Sequence, residues 1–192
     1  MSDESADAAK GGSEGAIKAD GPSSLGKGEY NPVADAGWSL GQPVPYFQFA
    51  ATLNKIEKEP SRLGITAILR DFLRSVIALS PEDLLPAVNL ASTRLAPPHE
   101  GMELGIGDSI LSKAIATGTG RTLAQVRQST TSLGDLGLAA EESKGSQRSL
   151  MQPIPLTLRK VFSEFRAISA ESGKSSQDKK ASRIKGMLLA CQ

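Results

Sequence analysis

The chain has 192 residues, of which 39% are hydrophobic and 22% charged, with a formal net charge of +1. Such a composition fits one soluble domain, or one domain with a tail, and excludes collagen, a coiled coil and a wholly disordered chain. A single cysteine, Cys191, and a single histidine, His99, exclude an internal disulfide and a His/Cys zinc site, and no apolar run reaches the roughly 18–20 residues of a membrane span.

Residues 1–41 are rich in Gly, Ser, Ala, Asp and Pro and poor in periodic apolar residues, so they read as a disordered tail and extended entry segment before a domain over 42–192. The opening Met1-Ser2-Asp3-Glu4 lacks the basic and apolar regions of a secretory signal, and none is expected. From Pro45, Phe47, Ala50, Ala51, Leu53, Asn54 and Ile56 recur at helical spacing until Pro60. Ser61 is placed to cap the next helix, whose stripe runs through Ile65, Ile68, Leu69, Phe72, Leu73, Val76 and Ile77. Ser80-Pro81-Glu82-Asp83 predicts another helix start, with Ser as cap, Pro in the first position and acids near the positive end. Pro86 should bend or shorten that helix, and Pro97-Pro98 ends the segment.

Gly101-Met102-Glu103-Leu104-Gly105-Ile106-Gly107 reads as a glycine-punctuated turn, with Asp108 placed to cap a helix that carries Ile110, Leu111, Ala114 and Ile115 and stops at Gly118. Thr122 suits a cap for Leu123–Thr131, and Asp135 one for Leu136–Glu142. A loop is expected over 143–156. Thr157 opens a helix with Leu158, Val161, Phe162, Phe165 and Ile168, ending near Gly173, and Ser176 opens the last, with Ile184, Met187, Leu188 and Leu189 on its apolar side. No strand pattern of comparable length occurs in the sequence, so the fold class is all-α with about eight short helices. The stretches Ser61–Leu73 and Ser176–Leu189 share an outline in which Ile68 matches Ile184, Phe72 matches Leu188 and Leu73 matches Leu189. This similarity fits an internal repeat, and equally two unrelated amphipathic helices.

Charge is unevenly spread: residues 144–192 hold ten basic and three acidic groups. That excess would suit a polyanion, or simply solvated helix faces. Helix N-termini at Ser61-Arg62, and at Ser175-Ser176 with Lys179 and Lys180, offer free N–H groups beside a cation, which suits both plain capping and a phosphate. The glycines at 101, 105 and 107 would allow a tight inter-helix turn or close approach to a nucleic-acid backbone; the Gly-Lys-Ser/Thr ending of a P-loop is absent. Lys18-Ala19-Asp20-Gly21 matches the nucleotidyl-transfer motif Lys-x-Asp-Gly, but it lies in the tail, and Ser23 stands where that motif carries arginine, so it reads as coincidence. The adjacent pairs Glu82-Asp83 and Glu141-Glu142 point to different helix faces and do not form an acid/base pair. No catalytic or metal-binding residue is assigned.

Several segments in order resemble the eukaryotic replicative ATP-dependent DNA ligases, the DNA ligase I family. They are Tyr30-Asn31-Pro32-Val33, Asp35-Ala36-Gly37-Trp38, Val44-Pro45-Tyr46, the run from Leu69 to Pro86, Gly101 to Asp108, Thr119-Gly120-Arg121, Gly134 to Glu141 and Ile184 to Cys191. The resemblance covers roughly residues 28–192. It implies a pseudo-two-fold helical DNA-binding domain that clamps nicked duplex DNA by its phosphates and minor groove, largely without reading sequence, as a monomer in the nucleus. Gly101, Glu103, Gly105 and Gly107 resemble the family's first minor-groove turn. Arg62, Lys179 and Lys180 join the expected DNA-binding set on the local argument above. The second such turn, the adenylation domain and the OB-fold domain would lie beyond Gln192, leaving the second half of the helical domain incomplete. ATP and Mg2+ are then expected for a full-length ligase and not for this chain, which should be inactive alone. A helical protein-interaction adaptor without DNA affinity is the alternative.

Overall fold

The computed structural model describes residues 30–145 and 154–191. Within them lie eight helices: α1 Tyr46–Glu57, α2 Arg62–Leu79, α3 Leu84–Ala91, α4 Asp108–Thr119, α5 Leu123–Leu133, α6 Leu136–Gly145, α7 Leu158–Ala170 and α8 Ser176–Ala190. Among the described residues there is no strand, only one isolated antiparallel bridge between Pro45 and Thr157. The all-α expectation holds. Residues 1–29 of the expected tail, and Lys18 with them, lie outside the described residues. The rest of that segment is folded. The Asn31 side chain accepts from the amides of Val33 and Ala34 at 2.9 and 3.0 Å. This Asx turn leads into Ala36 and Trp38, which are both buried.

Caps behave largely as the sequence predicts. Ser61 accepts from the Gly64 amide, Thr122 forms a capping box with Gln125, Asp135 accepts from the Leu138 amide and Thr157 from the Lys160 amide. Four expectations differ. Ser80 holds the N-cap position but makes no side-chain cap bond: its hydroxyl donates to the Gln42 carbonyl and accepts from Trp38 Nε1 at 2.9 Å. Pro81–Asp83 then form a 3₁₀ turn ahead of α3. Pro86 falls in the first turn of α3, where no intrahelical donor is required, so it is buried there without breaking the helix. Asp108 is the first residue of α4 and makes no cap bond. That helix runs past Gly118 to Thr119 and ends on left-handed Gly120, because Gly118 lies within the helix facing the Lys185 stem of α8.

The buried face of α1 also differs from the predicted one. Phe49 and Thr52 are buried, whereas Phe47 is 69% exposed. Two long-range backbone bonds fix the entry to the helix: Tyr46 N–H donates to the Leu156 carbonyl and Leu158 N–H to the Val44 carbonyl, both at 2.8 Å. Anchored there, α1 turns Phe49 toward Phe72, with ring centroids 5.7 Å apart.

The first core joins Ala36, Trp38, Val44, Phe49, Phe72, Val76, Leu79, Ala87 and Leu158. A second joins Ile110, Ala114, Ile168, Ala181 and Ile184, and a third gathers Ile115, Ala116 and Val126 under α6. The two helices of the suggested repeat thus belong to different cores, α2 to the first and α8 to the second. Among the described helices, only α7 reaches both, through Leu158 near its start and Ile168 near its end.

One ion pair ties the first core to α7. Asp83 is fully buried. Its carboxylate accepts from the Val44 amide at 2.7 Å and from Arg159 Nε at 2.6 Å. The same carboxylate holds the Arg159 guanidinium above its ordinary pKa. A second hub closes α5 on α6, where Arg121 donates to Ser143 at 2.8 Å and to Ser129 at 3.1 Å. Ser143 was expected to start a loop. It is instead buried within α6.

Candidate nucleic-acid interface

The segment between Pro98 and α4 has a simple physical pattern. From Gly101 to Gly107 exposure alternates: Gly101, Glu103, Gly105 and Gly107 face solvent, while Met102, Leu104 and Ile106 are partly covered. Leu104 and Ile106 pack on the second core beside Ile110 and Ile184. Burying these apolar side chains pins the segment down and leaves Glu103 as the one side chain on its glycine edge. A Cβ added at Gly101 or Gly107 would meet nothing within 4 Å, so backbone is open to a ligand there. Gly101 and Gly105 hold positive φ values of +58° and +56°, which an L side chain adopts only with strain.

Beneath the turn stands α8. Lys180 is only 8% exposed, and its ammonium donates to the carbonyls of Leu104 at 2.8 Å and Gly105 at 3.3 Å. Asp178, in the first turn of α8, pairs with Lys113 of α4 at 2.6 Å. Turn, α4 and the start of α8 therefore form one constellation. It contains six of the seven predicted residues: Gly101, Glu103, Gly105, Gly107, Lys179 and Lys180. Arg62 belongs elsewhere, on the exposed first turn of α2, which packs against α1 and α3.

Much of the basic excess toward the C-terminus is engaged inside the fold. Lys179 lies 3.7 Å from Glu171, with a side chain still 62% exposed. Arg183 bridges Glu164 at 3.0 Å and Glu171 at 3.2 Å, while Lys160 pairs with Glu164 at 2.8 Å. The Lys160 hydrogen bond, then Arg183, holds the Glu164 carboxyl below its ordinary pKa. Ser129, then Arg121, does the same for Glu142. Because both folded values lie below the unfolded one, the unfolded chain binds more protons in acid, and stability rises with pH there. The contribution is complete above the ordinary glutamate value of about 4.3 and is lost as pH falls through the lower folded values. Melting temperature should hold between pH 7 and about 5 and then drop, with a shallower acid limb in Glu164→Gln, as circular dichroism melts would read. Equal acid limbs in both proteins would refute the assignment.

The sequence concealed two parts of this arrangement. The alternation of Met102, Leu104 and Ile106 is legible as a period of two, but it is only three residues long and interrupted by glycine. The inward direction of Lys180 has no local signal, since its partners lie 76 and 75 residues away.

Fold and turn together define an all-helical module that presents main-chain atoms, and few side chains, along its glycine edge. Residues 45–192 match the family model described as DNA ligase N terminus, and the chain belongs to that family. It is 45% identical over 162 residues to DNA ligase 1 of Arabidopsis thaliana, covering 84% of this chain and 20% of that protein. To DNA ligase 1 of Drosophila melanogaster it is 42% identical over 163 residues, 85% of this chain and 21% of the relative. The figure for DNA ligase 1 of Saccharomyces cerevisiae is 39% over 150 residues, 78% of this chain and 20% of the relative. The chain thus spans about one fifth of the length of these relatives.

Proposed function

We propose that this chain is the duplex-gripping portion of an ATP-dependent DNA ligase. It holds nicked DNA through the phosphate backbone and minor groove, as a monomer, without reading sequence. The observation that carries this reading is the exposed, glycine-rich edge of the Gly101–Gly107 turn, backed by apolar anchors, in a chain of the DNA ligase N-terminal family. A glycine edge can enter a narrow groove that side chains would block. Backbone amides can meet the acceptors that every A·T pair presents there, so recognition tolerates sequence. Arg62 and Lys179 would supply phosphate contacts, which position the protein without specifying a base. Glu103 repels phosphate and suits only a donor, such as the guanine amino group in the same groove.

Nick sealing is the proposed activity of the full-length ligase, in nuclear replication, repair and recombination. ATP and Mg2+ act there, in the adenylation and OB-fold domains, and we assign them no residue of this chain. Among the described residues no helix is long and apolar enough to cross a membrane.

Fluorescence anisotropy with labelled nicked duplexes tests the reading. Log affinity should fall linearly with log salt, with a slope of about −0.9 for each phosphate neutralised, and two unrelated sequences should bind within a few-fold of each other. A salt-independent signal, or no binding at low salt, would sink the proposal in favour of the adaptor.

A further inference from the structure

Lys180 was grouped with the phosphate-binding cations, but its geometry suits another role. A buried ammonium must be satisfied by acceptors. Among the described residues it makes no ion pair, and its acceptors are the carbonyls of two successive residues, Leu104 and Gly105. In an extended chain successive carbonyls point to opposite sides. They share one cation here because Gly105 is left-handed, at φ +56°. Peptide planarity then fixes the next atoms. In a trans peptide the N–H of each residue points opposite to the preceding C=O. With both carbonyls drawn inward to Lys180, the N–H groups of Gly105 and Ile106 point outward. Neither donates a hydrogen bond to any other described residue.

We propose that Lys180 is a positioning residue that holds the Leu104 and Gly105 carbonyls inward and so presents the Gly105 and Ile106 amides as a pair of donors to acceptors in the minor groove of duplex DNA. The proposal rests on reading this turn as the DNA-contacting element. It separates Lys180 from Lys179: the first organises the turn, the second meets phosphate.

The salt dependence of binding distinguishes the two roles. In the full 192-residue chain, Lys180→Met should weaken binding to a nicked duplex about tenfold, through loss of two oriented donors, with the salt slope unchanged. Lys179→Ala should make the slope shallower by about 0.9, the signature of one lost phosphate contact. Backbone NMR of the free proteins adds a readout that needs no DNA: the Gly105 and Ile106 amide resonances should shift in Lys180→Met and stay in place in Lys179→Ala. Gly105→Ala covers the case in which Lys180→Met does not fold. Its Cβ would stand 3.0 Å from Lys180 Nζ at a positive φ, so it should weaken binding with an unchanged slope while every charge is kept. A slope shallower by about 0.9 in Lys180→Met, with the turn resonances unmoved, would overturn the proposal and make Lys180 a phosphate ligand. Gly105→Ala binding like the wild type would overturn it as well. Failure of the wild-type chain to bind duplex at low salt would instead defeat the reading of the turn itself. The resonances of Lys180→Met would still decide whether the lysine holds it.

Discussion

Asp83→Ala is expected to destabilise the chain by about 3 kcal/mol, the lower end of what breaking a buried ion pair costs. The carboxylate serves two donors at once, the Val44 amide at 2.7 Å and Arg159 Nε at 2.6 Å. Its removal leaves the Val44 N–H buried without an acceptor, a penalty of about 1–3 kcal/mol by itself. It also loosens the tie between α7 and the entry segment, which the Leu158 N–H bond to the Val44 carbonyl still holds. Arg159 can recover water, since its side chain is 43% exposed, which keeps the loss from the top of the range. Urea unfolding read by the single tryptophan, Trp38, measures it directly, because that indole is buried in the same core. Asp83→Asn keeps an acceptor for Val44 and should lose less. In a double-mutant cycle with Arg159→Ala the two changes should fall well short of additivity. A loss under about 1 kcal/mol for Asp83→Ala would refute the bridge.

Phe72→Ala should be about as severe, at about 3–5 kcal/mol. Its ring lies between Trp38, at 6.2 Å, and Phe49, at 5.7 Å, and all three are buried. Truncation opens a cavity at the meeting of the entry segment, α1 and α2, and removes two tilted aromatic contacts. Phe47→Ala is the control. Periodicity alone would put Phe47 in the core, yet it is 69% exposed, so its loss should stay within about 0.5 kcal/mol. If both variants melt alike, the rotation of α1 described above is wrong.

That contrast shows which features can be read from residues. Helix limits were legible because caps and breakers act locally: Ser61, Thr122, Asp135 and Thr157 each close a hydrogen bond within three residues. The rotation of α1 was not legible, because it is set by backbone bonds to Leu156 and Leu158, about a hundred positions onward. Asp83 looked like a helix-start acid, since nothing near it in the sequence announces an arginine 76 residues away. At the candidate interface the glycines were legible, and two of them, Gly101 and Gly105, sit at the positive φ that favours glycine. Whether each nearby cation faces inward or outward was not, because charge has no direction until the fold supplies partners. Lys180 and Lys179 are neighbours in sequence, and the helix sends one under the turn and leaves the other in water.

Helix α7 has Leu158 seated in one core and Ile168 in another, ten residues on and about 15 Å along its axis. A stiff rod embedded at both ends behaves like a beam set into two walls. Neither wall can crumble while the beam stays level, so melting of either core should pull on the other. The cores should therefore share one cooperative transition, and the slowest-exchanging amides of α2 and α8 should report the same opening free energy.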